Sequence, residues 1–130
     1  MSTDYSKMSD FEIDKDVADA LGIDYEIAIM FVSPVDKING NHVEEYVRKK
    51  ITSNEKHWRR FSPTRIPNDA WPIIDENNIT IINDNPSLRF AVSEVAAYFN
   101  GSNNIWSAHE NGLRAAMIVF LKMQESKNAS

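Results

Sequence analysis

The sequence predicts a single α+β domain spanning residues 1–130, with a small, mainly antiparallel sheet packed against an N-terminal and a C-terminal helix. Three observations carry this. Residues 8–22 contain an amphipathic helix with both its start and stop signals. Residues 111–124 contain a helix apolar over most of its circumference. Between them lie short β-branched and aromatic segments near 25–32, 79–83 and 87–92, separated by turn residues. A chain of 130 residues is long enough for one real core.

The first helix, 10–21, opens with Ser9 as N-cap and Glu12 three residues on, a capping box. Met8 and Ile13 flank it as a hydrophobic staple. Asp10 and Glu12 suit the positive end of the helix dipole. Phe11, Ile13, Val17, Ala20 and Leu21 form the apolar stripe, and Asp14, Asp16 and Asp19 are expected to face water. Gly22 fits the left-handed position that ends a helix. Tyr25 to Val32 reads as a strand stopped by Ser33-Pro34. After the Asn39-Gly40 turn, Asn41 and Glu44 make a second capping box, and Val43, Tyr46, Val47 and Ile51 predict a short helix over 42–52.

Residues 53–67 are polar, basic and proline-bearing, and are expected to form a long loop or arm. Asn68 or Asp69 would cap a helix that begins before Pro72 and packs Trp71, Ile73 and Ile74 inward, with Asn77-Asn78 taking a left-handed exit. Ile79-Thr80-Ile81-Ile82 and Leu88 to Val92 predict a hairpin around Asp84-Asn85-Pro86. Residues 94–99 suit either state, with Ser93 and Gly101 favouring a helical turn. Gly101 to Gly112 is expected to be a loop carrying Trp106 and His109. Asn111 caps the last helix. Eight of the nine residues from Leu113 to Leu121 are apolar, so that helix should be the hub of the core. The run is far short of the ~20 residues a membrane span needs.

Zero cysteines removes disulfides, thiolate zinc sites and cysteine nucleophiles together. No basic flank followed by an apolar stretch opens the chain, so the expected location is the cytoplasm of the cell that makes it, and no membrane is expected as partner. Net charge is −5, but unevenly spread. Residues 1–30 hold eight of the nineteen acids and two basic residues. Residues 48–65 hold seven of the fourteen basic residues and one acid. Such asymmetry fits an anionic partner, attraction between the two halves, or simply a solvated surface.

Catalytic and metal signatures are weak. His109-Glu110 begins like a zinc-protease motif, but Leu113 stands where its second histidine belongs. The four glycines make no phosphate loop or dinucleotide fingerprint. No metal and no cofactor are expected. A small enzyme acting on a nucleotide would require Asp69, His109 and Arg114 to converge. Arg114 is the one charge inside the apolar helix and needs a partner, with Asp69 or Glu76 the expected ones. Alternatively Arg114, Asn111, Trp71, Trp106 and Asp69 would line a small anion or ligand site. Within 56–65, Arg59, Arg60 and Arg65 suit phosphates and Trp58 or Phe61 suits stacking on bases; the plainer alternative is a loop whose aromatics anchor it to the core while its charges face the acidic first helix.

Three segments taken together resemble the NinX family of small phage and prophage proteins, encoded in the nin region of lambdoid phages. They are Met8-Ser9-Asp10-Phe11-Glu12-Ile13 through Leu21-Gly22, then Asp69-Ala70-Trp71-Pro72-Ile73-Ile74 with Glu76-Asn77 and Ile79, and finally Leu113 to Leu121 with Met123-Gln124. Two departures stand out. The family commonly has proline where this chain has Gly112, and no family pattern is recognised over 33–67. The resemblance implies a phage or prophage origin and an accessory role, and it carries no catalytic residue across.

The expected function is therefore non-enzymatic: a phage-derived accessory protein that binds a host protein or a small anionic ligand, in the service of countering host defence. The alternative is a nucleic-acid-binding module using Arg59, Arg60, Arg65 and Trp58. The apolar last helix could be covered by its own chain or by a second copy, so a homo-oligomer stays open.

Overall fold

The computed structural model describes residues 4–31, 43–50, 58–93 and 105–128. After a 3-10 turn at Tyr5–Lys7, the elements run α1 (Asp10–Leu21), β1 (Tyr25–Phe31), β2 (Val43–Lys50), β3 (Trp58–Arg60), α2 (Pro67–Glu76), β4 (Ile79–Asn85), β5 (Leu88–Ser93), β6 (Trp106–His109) and α3 (Gly112–Asn128). The fold is α+β, with helices near both ends and strands between. No helix among the described residues is long and apolar enough to cross a membrane.

Helix α3 is the hub. Every residue from Arg114 to Leu121 is buried. Against it pack β4, β5 and β6, and also α1 and α2. Its first turn lies so close to the sheet that a Cβ on Gly112 would meet Ile81 Cγ2 at 3.2 Å. Asn111 caps the helix as expected, its Oδ1 accepting from Leu113 N at 3.0 Å and Arg114 N at 3.3 Å.

Helix α1 has the expected capping box between Ser9 and Glu12, and Gly22 ends it at φ 69°. Two expectations fail: Asp14 is buried beside Ile13, Val17 and Ala18 rather than facing water, and Ala20 and Leu21, placed on the apolar stripe, are exposed at the last turn. Asp10, Asp14 and Ala18 are four apart, so both carboxylates share the stripe that faces the interior.

The strands form two three-stranded antiparallel sheets, β1-β2-β3 and β4-β5-β6, rather than the single sheet expected. The helix expected over 42–52 is instead strand β2, its neighbours from 51 and up to 42 lying outside the described residues. β2 pairs β1 without interruption from Tyr25–Lys49 to Phe31–Val43. The reason is tertiary. β1 needs a ladder partner, and Val43, Tyr46 and Val47 fit a pleated surface at least as well as a helix. Within 53–67, expected as one loop, Trp58–Arg60 forms β3 and Phe61, Ser62, Pro63 and Thr64 are buried. The rest of that stretch up to residue 57 lies outside the described residues.

Helix α2 starts with Ile66 as N-cap and Pro67 at its first position; neither Asn68 nor Asp69 caps it. Proline's fixed φ and missing donor suit that position. Ile73 and Ile74 are buried, but Trp71, expected inside, is 50% exposed. Asn78 takes the left-handed exit at φ 54°. The β4–β5 hairpin forms with a register shift between Asn83 and Asn85. The expected loop at 101–112 contains strand β6, paired to β5 from Arg89–His109 to Val92–Trp106. Residues 94–99, with their helical-turn expectation, lie outside the described residues.

Candidate functional site

Among the described residues, buried polar side chains converge on two places. The first is the turn Ser62-Pro63-Thr64. Buried Asp14 accepts from Ser62 Oγ at 2.6 Å and from Thr64 N at 3.0 Å. Buried Asp69 accepts from Ser62 N at 3.0 Å and lies 2.9 Å from Arg59 Nη1. Asn111 Nδ2 donates to Thr64 O at 2.7 Å. One turn is thus fastened to α1, to α2 and to the cap of α3. Burial pushes the Asp14 carboxyl above its ordinary value, and the donors from Ser62 and Thr64 offset only part of this. With Asp14, Asp69, Ser62 and Asn111 all committed to holding this turn, its role is structural.

The second place surrounds Arg114. Its Nη1 donates to Asp10 Oδ1 at 2.7 Å, and its Nη2 to Tyr5 O at 3.2 Å and Met8 O at 2.6 Å. Its partner is therefore Asp10 and two carbonyls, not Asp69 or Glu76. Arg65 Nε reaches the other Asp10 oxygen at 3.2 Å. Burial pulls the Asp10 carboxyl upward, but hydrogen bonds from Arg114 and Arg65 outweigh it and hold it below the ordinary value. Tyr5 Oη donates to Glu125 Oε1 at 2.6 Å. The N-terminal segment is so held against both the start and the far end of α3.

A cavity of about 170 Å³ opens beside Arg114, walled by Asp4, Ser6, Ser107, His109, Arg114 and Lys122. Arg114 is 7% exposed, and its Nε–H has no partner. His109 Nδ1 accepts from Asn111 N at 2.9 Å, so in the neutral ring Nε2 carries the proton and is a donor. Lys122 Nζ uses one donor on Trp106 O at 2.9 Å, which leaves others. The Asp4 carboxylate is the one opposing charge in this wall. It accepts from Ser6 Oγ and N, and the Ser6 hydroxyl holds its pKa below the ordinary value. Donors dominate the cavity. A shallower cavity of about 280 Å³ has Asp10, Glu44, Glu45 and Arg65 in its wall and is acidic instead.

The residues singled out from sequence are only partly brought together. Arg114 lines the cavity, and Asn111 orients His109 within it. Asp69 belongs to the Ser62 knot. Trp71 lies exposed on α2. Trp106 lies 42% exposed, tilted against Phe90 at 6.1 Å between ring centres. The basic set also separates: Arg59 pairs with Asp69 and Arg65 with Asp10. Arg60 sits over Tyr46 at 5.8 Å, and Arg48 over Trp58 at 5.2 Å. Arg48 also pairs with Glu26. The acidic N-terminal region and the basic middle thus attract each other through Glu26 and Asp10.

Sequence reasoning missed Ser6, Ser107, His109 and Lys122 as one wall. No spacing joins them, because β6 and the N-terminal turn meet only across α3. It also missed Asp14, Ser62 and Thr64, although the four-residue step from Asp10 to Asp14 along the Ala18 stripe was a readable sign.

No curated protein and no solved structure matches the chain. A family model described as "Bacteriophage P22, NinX" matches residues 4–124, across the 33–67 stretch in which no family pattern was expected. The chain belongs to the phage P22 NinX family.

Proposed function

We propose that this protein is a non-enzymatic phage accessory protein that binds a small oxyanion-bearing ligand in the Arg114 cavity, in the cytoplasm of the host cell. The observation that carries the reading is the Arg114 Nε–H. It belongs to a side chain more than nine-tenths buried, it lacks a partner, and its side chain lines a cavity rich in other donors. An unsatisfied N–H on a buried cation is costly, and an acceptor from a ligand would relieve it. His109, Lys122 and Ser107 supply further donors. The volume corresponds to about five or six water molecules, which suits one phosphate- or carboxylate-sized group. Asp4 at the same wall favours a ligand that carries a hydroxyl or amine beside its oxyanion. Taking such a ligand out of circulation is a simple route to countering a host response.

Inorganic phosphate is the probe. Titration followed by amide NMR should shift Ser107, His109 and Arg114 signals of the wild type. Lys122→Met and His109→Phe should weaken that binding at least tenfold, while Arg59→Ala should leave it alone. A wild type whose spectrum is unmoved by phosphate at millimolar concentration rules the reading out.

One observation favours a second reading. Tyr46, Arg48, Lys50, Trp58 and Arg60 alternate onto the same face of the β2–β3 ladder, where Arg48 stands opposite Arg60. Aromatic and cationic groups side by side can hold single-stranded nucleic acid. Two of its original members, Arg59 and Arg65, are instead held by carboxylates. Retention on single- and double-stranded DNA across a salt series tests it, and no retention at low salt ends it.

A further inference from the structure

The free edge of β1 is unlike the rest of the surface. Lys50 N donates to Asp24 O at 3.3 Å, which sets the phase of the β1–β2 ladder. Bonded and unbonded pairs alternate along an antiparallel ladder. Glu26, Ala28 and Met30 therefore turn their backbone groups to β2, and Tyr25, Ile27, Ile29 and Phe31 turn theirs away from it. The far side agrees: Val47, opposite Ile27, gives its carbonyl to Phe61 N at 2.8 Å instead. Among the described residues no strand pairs with that outward edge.

Exposed edge strands are commonly protected by lysine or another free charge, by proline or by a bulge, and the one charge of β1, Glu26, is neutralised by Arg48. β1, Tyr-Glu-Ile-Ala-Ile-Met-Phe, has no lysine, no proline and no bulge. Ile27 is 44% exposed, Ile29 59% and Met30 39%, and Val43 across on β2 is 46% exposed. Ile27, Ile29 and Val43 share one face of the sheet, so their side chains form a continuous apolar strip at the edge.

We propose that β1 pairs antiparallel with β1 of a second copy of this chain, about a two-fold axis through Ala28. The strand is complementary to itself in this register. Ile27 meets the second copy's Ile29, and Tyr25 meets its Phe31. These are the residues whose backbone groups point outward, so every outward N–H and C=O finds a partner. The one charge, Glu26, meets a methionine rather than its own twin, and Arg48 already neutralises it. A two-fold interface needs such self-complementarity, which an unrelated strand would match only by chance. The result is one continuous sheet, β3-β2-β1 joined to its rotated copy. The inference concerns another face from the Arg114 cavity and does not depend on it.

The register is testable directly, because the chain has no cysteine. Ala28 would face its own counterpart in an unbonded pair, where Cα atoms lie about 4.5 Å apart, within disulfide reach. Oxidised Ala28→Cys should run as a covalent dimer on a non-reducing gel. Ala20→Cys, exposed on α1, should not. Wild-type protein should sediment as a concentration-dependent dimer. Ile29→Pro removes an outward N–H and no β1–β2 bond, so it should sediment as a monomer with unchanged far-ultraviolet circular dichroism. Ile29→Val should remain dimeric. A wild type that is monomeric at its highest soluble concentration overturns the proposal. So does a dimer that survives Ile29→Pro, or one in which Ala28→Cys fails to cross-link.

Discussion

The two sheets each hold an isoleucine-bearing strand, and those strands have opposite fates. β4-β5-β6 lies on α3 and buries Ile79, Ala91 and Val92. β1-β2-β3 meets the helices mainly through β2 on α1, and of β1 and β2 only Val47 is buried. Isoleucines in β4 are core or half-buried, while those in β1 are exposed. For these isoleucines, burial follows from what lies opposite the strand. An apolar helix faces one sheet, and among the described residues no comparable surface faces the other.

The largest expected contrast is therefore between matched truncations. Met117→Ala, at a site with no exposure, should cost about 2–5 kcal/mol in urea unfolding. Ile29→Ala should change stability by no more than about 0.5 kcal/mol in the isolated chain. Equal losses at the two sites would mean that β1 is covered in solution, as dimerisation requires; comparing dilute with concentrated protein separates the two cases.

A smaller contrast lies within α1, between carboxylates one turn apart. Asp10→Ala leaves a buried guanidinium short of its charged partner and should cost about 1.5–3 kcal/mol. The pH dependences should oppose each other. The Asp10 carboxyl is held below its ordinary 3.8, so its contribution is present above that pH and is lost as pH falls through the lowered value. Asp14 is raised above 3.8, so the folded chain holds that proton more tightly than the unfolded one. Its contribution is greatest below 3.8 and fades as pH rises through the raised value. Asp14→Asn should therefore gain on the wild type as pH rises from 3 towards 7. Thermal melts across that range check the sign, and a variant that loses ground to the wild type as pH rises would refute it.

Local chemistry made some of this readable. The capping box at Ser9 and Glu12, the Gly22 exit, the Asn111 cap and the apolar stretch after it are short-range signals, and each is found. Where long-range contacts decide, reading failed. The Asn41–Glu44 capping pattern was a sound local signal, yet pairing with β1 made a strand there. Trp71 looked like core by size alone, but its position on α2 turns it outward while Ile73 and Ile74 turn in. Arg114 was recognisable as a buried charge needing a partner. That the partner is Asp10, far away in sequence, depends on α1 crossing α3. The cavity beside it joins the N-terminal turn, β6 and α3, three segments that no local pattern connects.

The Ser62-Pro63-Thr64 turn bears on how the chain comes apart. Its amide protons are held by carboxylates from two different helices, and its carbonyl by the residue that opens a third. Fraying of one terminus leaves the other grips in place, so the Ser62 and Thr64 amides should exchange with deuterated water only when the whole assembly opens. Two backbone signals near the middle of the chain would then serve as gauges of global opening, and the turn would be a late piece to lock during folding, since it has nothing to grip until all three helices have arrived.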